Sequence, residues 1–156
     1  LEEAYLVSAS RKFTAREVRR RASSPKLVPL NNAFLAASRA GDPPSAQSLP
    51  DVWGRWVENA CLAFAIGCEQ TVSYWREEPL EVDAVIDGSW GKWAVEIKTG
   101  EYTSRDLVGI LEFCRRRPEY RPVVMCDEKH VETGTRIGLD AVPWRDFLWD
   151  GFAMLA

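Results

Sequence analysis

Asp83, Glu96 and Lys98 fall in two short segments whose pattern predicts a β-hairpin, and a hairpin would gather their side chains on one face. Residues 81–87 and 92–98 alternate apolar and polar around Gly88-Ser89-Trp90-Gly91, a compact turn signal. A symmetric turn sets Asp83 opposite Glu96 and Glu81 opposite Lys98. Directly opposed residues have Cβ atoms about 4.5–5.5 Å apart, where like charges are destabilising. Asp83 facing Glu96 therefore asks for a proton or a cation between them. A hard divalent ion such as Mg²⁺ or Mn²⁺ answers that demand, because it binds through one or two carboxylates and completes its shell with waters and phosphate oxygens. Lys98, two residues beyond Glu96 and on the same side, is then placed to orient an attacking water and to meet charge developing on phosphorus. Carboxylates, ion and lysine together describe phosphodiester hydrolysis. Two other readings stay open at this point. Glu81 and Lys98 can form an ordinary cross-strand ion pair on a wet face, and a bulge or odd-length turn can shift the register so that Asp83 and Glu96 splay toward solvent.

The period of two sorts the rest of the hairpin. Val82, Ala84, Ile86, Trp93, Val95 and Ile97 share one face, all apolar, and must pack on something; Val85 and Ala94 lie among the polar residues of the other. Upstream, Trp53, Val57, Ala60, Cys61 and Phe64 recur at helical spacing, which predicts a helix over 51–66 with Asp51 as N-cap. A strand follows over 71–76. Downstream, Leu107, Ile110, Leu111 and Cys114 mark a helix over 104–117, capped by Ser104 and stopped by Pro118. Residues 122–126 read as a buried strand and 142–152 as a closing helix or turn rich in Trp and Phe. Trp53, Trp56, Trp144 and Trp149 read as packing residues. The order is helix, three strands, helix, strand, an α/β fold.

The front of the chain differs. Residues 2–5 read as the tail of a helix, followed by a strand over 6–10, an Arg-rich excursion, a second strand over 26–30 and a helical turn over 32–37. Two strands around a basic protrusion suggest a wing, in too little chain for a complete winged helix. A start at Leu1 without Met reads as a chain cut from a longer polypeptide. The Pro-rich stretch 41–50 is a loop and a boundary, which divides the chain into 1–50 and 51–156.

Composition narrows the classes. The 156 residues carry 20 Lys+Arg against 23 Asp+Glu, one His and four Cys, and 46% are hydrophobic. No apolar run approaches the roughly 20 residues a spanning helix needs, which speaks against a membrane protein. Cys61, Cys68, Cys114 and Cys126 show no CxxC spacing and read as free, mostly buried thiols of a cytoplasmic protein. The net charge of −3 is unevenly spread: residues 1–26 hold seven basic and three acidic side chains, leaving an acidic body. Arg16, Arg19 and Arg20 are candidate phosphate contacts in that basic edge, with a solvated face as the alternative; Arg76, next to Tyr74 and Trp75, is another. The absence of GxxxxGK[ST] leaves no ATP site of the P-loop kind.

Over residues 51–126 these features resemble the PD-(D/E)XK nuclease superfamily, whose restriction-endonuclease-like core runs helix, three antiparallel strands, helix, strand. More narrowly, Gly54, Glu58 and Asn59, then Tyr74-Trp75-Arg76, Glu81-Val82-Asp83 and Glu96-Ile97-Lys98, are similar to the C-terminal domain of unknown function that follows the ATPase module in a family of bacterial and archaeal AAA+ ATPases. Residues 1–7, Ser24-Pro25-Lys26-Leu27 and residues 31–35 resemble the winged part and connecting helix of those proteins. The resemblance implies that Asp83 and Glu96 bind the metal with the backbone carbonyl of Ile97, that Lys98 is the catalytic lysine, and that Glu58 holds or shapes the metal site. Val82 stands where the motif's name has Pro. It further implies DNA and a preceding ATPase module as partners, and it leaves a noncatalytic regulatory or partner-binding module as the alternative function.

Overall fold

The computed structural model describes residues 6–14, 23–37, 44–45, 47–152 and 155. Among these, the elements in chain order are β1 (Val7–Lys12), β2 (Lys26–Pro29), α1 (Asn32–Ala37), α2 (Pro50–Gly67), β3 (Thr71–Glu77), β4 (Leu80–Gly88), β5 (Gly91–Ile97), a 3₁₀ turn (Ser104–Leu107), α3 (Val108–Arg116), β6 (Arg121–Cys126), a second 3₁₀ turn (Glu128–His130), α4 (Val131–Ile137), β7 (Asp140–Pro143) and α5 (Trp144–Asp150). The expected order of helix, three antiparallel strands, helix and strand is the order observed from α2 to β6. The expected helix over 2–5 and the Arg-rich excursion, with Arg16, Arg19 and Arg20, lie outside the described residues.

The seven strands form one mixed sheet in the order β2-β1-β3-β4-β5-β6-β7. β3, β4 and β5 are antiparallel neighbours, and β6 and β7 join parallel after their helical crossovers. β1 pairs with β2 antiparallel and lies parallel to β3 through Arg11↔Ser73 and Lys12↔Tyr74, so the front segment extends the same sheet.

Both faces of the sheet are covered. On one, Ala84, Ile86, Trp93, Val95, Val123 and Met125 pack under α2 and α5 with Val57, Cys61, Leu62, Trp144 and Phe147. On the other, Trp75, Val82, Val85, Ala94, Val124 and Cys126 pack under α3 with Leu107, Ile110 and Phe113. The alternation within β6 explains its unbroken apolar run: a parallel strand buried on both sides has no solvent face to mark with polar residues. Val85 and Ala94, expected on a polar face, belong to this second core.

Several local expectations shift. Asp51 lies in the first turn of α2, which begins at Pro50 after Leu49; proline at the first helical position needs no N–H partner, and Leu49 gives no side-chain cap. Ser104 yields the capping place to Thr103, whose N–H and hydroxyl both donate to Asp106 Oδ2 at 2.8 Å. Trp53 and Trp144 pack in the core as expected, whereas Trp149 is 85% exposed. Of the four cysteines, all free, Cys61 and Cys126 are buried, Cys114 half-buried and Cys68 exposed. No helix among the described residues is long and apolar enough to cross a membrane.

Candidate active site

The hairpin register is the one its turn implies: β4 and β5 pair from Gly88↔Gly91 to Ala84↔Val95, which carries Asp83 to the level of Glu96. The irregularity lies on the other side of β4. Between the pairs Ser73↔Val85 and Trp75↔Val82, β4 has one residue more than β3, a bulge that contains Asp83 and Ala84. An extra residue reverses the alternation. Val82 therefore joins Val85 in the core under α3 instead of sharing a face with Ala84. Where the ladder stops, the Asp83 carboxylate takes over a backbone donor: Ile97 N–H donates to Asp83 Oδ2 at 2.9 Å.

Glu96 is the deepest acid of the group, at 5% exposure. Lys98 Nζ donates to its Oε1 at 2.8 Å, while Oε2 is buried with no hydrogen-bond partner. A wet-face reading of this side of the hairpin is thereby excluded for Glu96. Glu81, the expected cross-strand partner of Lys98, instead accepts from Arg76 through Nε at 3.0 Å and Nη2 at 2.6 Å.

Glu58 comes from α2. Gly54, one turn earlier, lets that helix pass close to the end of β5, since a Cβ there would sit 3.3 Å from Thr99 Oγ1. The Glu58 carboxylate pairs directly with Lys26 Nζ from β2. Asn59, the next residue of the helix, is buried and donates through its amide to Pro29 O at 2.8 Å and to Asn32 Oδ1 at 2.7 Å. Asn32 in turn donates to Trp56 O at 2.9 Å. This network holds the β2–α1 junction against α2, and so holds Lys26 at the site.

The electrostatics follow from crowding acids in a desolvated place. Burial, then the charge of Glu58, push the Asp83 carboxyl up to about 6, against the opposing effects of the Ile97 N–H, Lys98 and Lys26. Burial, then the charge of Asp83, push Glu96 up to about 8, although the Lys98 charge and hydrogen bond pull it down. For Lys98, burial favours the neutral amine, but the Glu96 charge and hydrogen bond outweigh it and hold the ammonium above the usual lysine range.

A cleft of about 250 Å³ leads to Asp83 between Ser24, Pro25, Lys26, Tyr74 and Arg76. A second, of about 450 Å³, borders the Lys26–Glu58 pair and is walled by apolar residues that include Val28 and Leu62. The sequence-derived quartet is brought together in part: Asp83, Glu96 and Lys98 meet at the hairpin end, and Glu58 reaches Asp83 by its charge while its direct contact is Lys26. Among the described residues, no group of three or more His, Cys, Asp or Glu side chains converges closely enough to hold a metal ion. Two carboxylates, one with an orphaned buried oxygen, are the donor set that remains, and a hard divalent ion suits it. Lys26 is the residue that sequence reasoning missed; its signal lay in the Ser24-Pro25-Lys26-Leu27 string, which was read as strand and as part of the winged resemblance, with no role at the site.

Comparison with known proteins adds one finding. No curated protein and no solved structure matches the chain. A family model does, over residues 53–147, a span from α2 to α5 that includes Glu58, Asp83, Glu96 and Lys98 and excludes Lys26. The chain belongs to the family described as Domain of unknown function (DUF4143).

Proposed function

We propose that this chain carries a restriction-endonuclease-like, PD-(D/E)XK domain that hydrolyses phosphodiesters of DNA with Mg²⁺ or Mn²⁺. The observation that carries this reading is Glu96: a buried carboxylate with an unpartnered oxygen, beside a second acid that is also pushed toward its protonated form. Asp83 and Glu96 would hold the ion, with the Ile97 carbonyl as a third protein ligand. The ion supplies Lewis-acid polarisation of a phosphoryl oxygen and a water made nucleophilic at neutral pH. The chain supplies the rest. Lys98, kept protonated by Glu96, stands ready as a positive partner for charge that develops on the phosphoryl oxygens. The cleft that ends at Asp83 is the approach for a phosphate backbone, with Arg76 at its rim and Arg16, Arg19 and Arg20 as further contacts. A preceding AAA+ ATPase module and a cytoplasmic setting belong to the same reading.

A second reading, a noncatalytic regulatory or partner-binding module, draws support from the lysine partners that Glu58 and Glu96 already have, and from the acidic body, since phosphate contacts supply most nonspecific affinity. One assay separates the two. Linear, nicked and single-stranded DNA, and RNA, are incubated with Mg²⁺ or Mn²⁺ and with chelator, using the wild type, Lys98→Ala and Asp83→Asn. We expect metal-dependent cleavage that falls at least about 100-fold in both variants. Cleavage equal in all three proteins would be contamination, and neither cleavage nor metal binding in the wild type would leave the module reading standing.

A further inference from the structure

We propose that the substrate is single-stranded DNA, seated in the cleft that ends at Asp83 with one base against the ring of Tyr74; this rests on the hydrolytic reading of Asp83 and Glu96. The cleft is small and walled on two sides. Its volume is about 250 Å³, below the roughly 300–1,000 Å³ of pockets that enclose a drug-sized ligand. One wall is the end of β3 and the start of β4, and the other is Ser24, Pro25 and Lys26 at the head of β2. Tyr74 fastens the two, its hydroxyl donating to Ser24 O at 2.9 Å. A phosphodiester that reaches Asp83 along this cleft must pass between the walls. A duplex is a stiff rod, with a persistence length of about 150 base pairs. A single strand turns its backbone and a base into a narrow place without first being unpaired.

The charge around the cleft points the same way. A duplex is held chiefly through many phosphate contacts, and the basic side chains here are already matched. Arg76 lies on Glu81 and Glu78, Lys26 on Glu58 and, next along, Arg116 on Glu77 and Glu112. Each phosphate contact made by these residues has to displace a carboxylate. Stacking carries no such cost, and it needs a base whose face is free. Tyr74 offers the surface, since it lines the cleft and is half-buried, whereas neighbouring Trp75 is sunk in the core at 5% exposure. Its bond to Ser24 and the pairing of its backbone with Lys12 of β1 hold it in place.

The test measures binding by fluorescence anisotropy in chelator at pH 6, where no strand is cut and Glu96, raised to about 8, holds its proton. The probes are an oligo-dT of about 12 nucleotides, an abasic strand of the same length and a blunt duplex. Oligo-dT should bind at least about 10-fold more tightly than the duplex, with a log–log salt slope of only about −1 to −2. Tyr74→Ala, its fold verified by circular dichroism, should lose about 5- to 150-fold on oligo-dT and little on the abasic strand. Tyr74→Phe, which keeps the ring without the hydroxyl, should retain most of the affinity. Duplex bound as tightly as oligo-dT overturns the proposal, as does failure to bind any strand. An equal loss by Tyr74→Ala on oligo-dT and abasic strand also overturns it, because Tyr74 would then be structural only. Single-strand preference without metal-dependent cleavage supports the proposed seat and overturns the hydrolytic reading. Metal-dependent cleavage of blunt duplex as fast as of single strands keeps the hydrolytic reading and overturns the proposal.

Discussion

At the scale of single residues, Glu96 and Asp83 carry a cost that nothing within the chain fully offsets. An acid in a desolvated place favours its neutral form, and two acids side by side favour it more. Raised folded-state values mean that the folded chain holds protons that the unfolded chain has lost. Their contribution to stability is therefore full below the ordinary values of 3.8 and 4.5, and it drains away as pH rises through about 6 and about 8. In chelator, the thermal midpoint of the wild type should fall between pH about 4 and about 8, and Glu96→Gln should flatten the upper part of that fall. The measurement is a melting series across pH for both proteins. A flat profile in the wild type would show that the pair keeps the values it has in water. The same substitution should stabilise the metal-free chain at pH 8 and weaken its hold on a divalent ion, a split that a merely structural glutamate would not show.

The elements place these side chains through two backbone events. One is the bulge in β4, which frees Asp83 from the ladder with β3 and lets its carboxylate take the Ile97 N–H. The other is the closeness of α3 to the same strand. A Cβ at Gly109 would lie 2.1 Å from the Glu81 carbonyl oxygen and 3.1 Å from its N and carbonyl C, so this helix rests on the backbone of β4 two residues before Asp83. Gly109→Ala must push helix and strand apart. Overpacking costs typically about 1–3 kcal/mol, and backbone on the opposing side has less room to yield than a side chain. We expect a loss near the top of that range in chemical denaturation, together with weakened Mn²⁺ binding as the bulge moves. Gly100→Ala, with nothing within 4 Å of the added carbon, is the control and should change neither.

For the molecule as a whole, a divalent ion that binds only the folded chain adds to its stability by mass action. At a concentration about 100 times Kd the gain is about 2.7 kcal/mol, or about 5–10 °C in Tm for a chain of this size. Mg²⁺ at pH 8 should give a shift of that order in the wild type, and Asp83→Asn and Glu96→Gln should abolish it. Scanning fluorimetry measures this directly, and an equal shift in all three proteins would assign the ion to some other place. The gain should be larger at pH 8 than at pH 6, because the ion replaces protons that are already gone at the higher pH.

Much of this could be read from the residues alone. The turn at Gly88–Gly91 and the alternation on either side set the pairing of β4 with β5, because a slip of one residue would turn Ile86 and Val95 outward. Helical spacing located α2, and the apolar run of β6 announced a strand covered on both faces. What stayed illegible has a common cause. Asp51 and Ser104 were misread as caps because the choice between neighbouring capping residues turns on backbone angles. Trp149 was misread as core although it follows the buried Phe147 by two residues in α5, which turns it roughly 200° to the outer face of the helix. The bulge at Asp83 needed β3 as a ruler, and the pairing of Lys26 with Glu58 joins residues 32 apart in the chain. Local pattern records the energy of a residue against its near neighbours. Contacts between distant segments are settled only when the sheet closes and burial makes each unpaired charge costly.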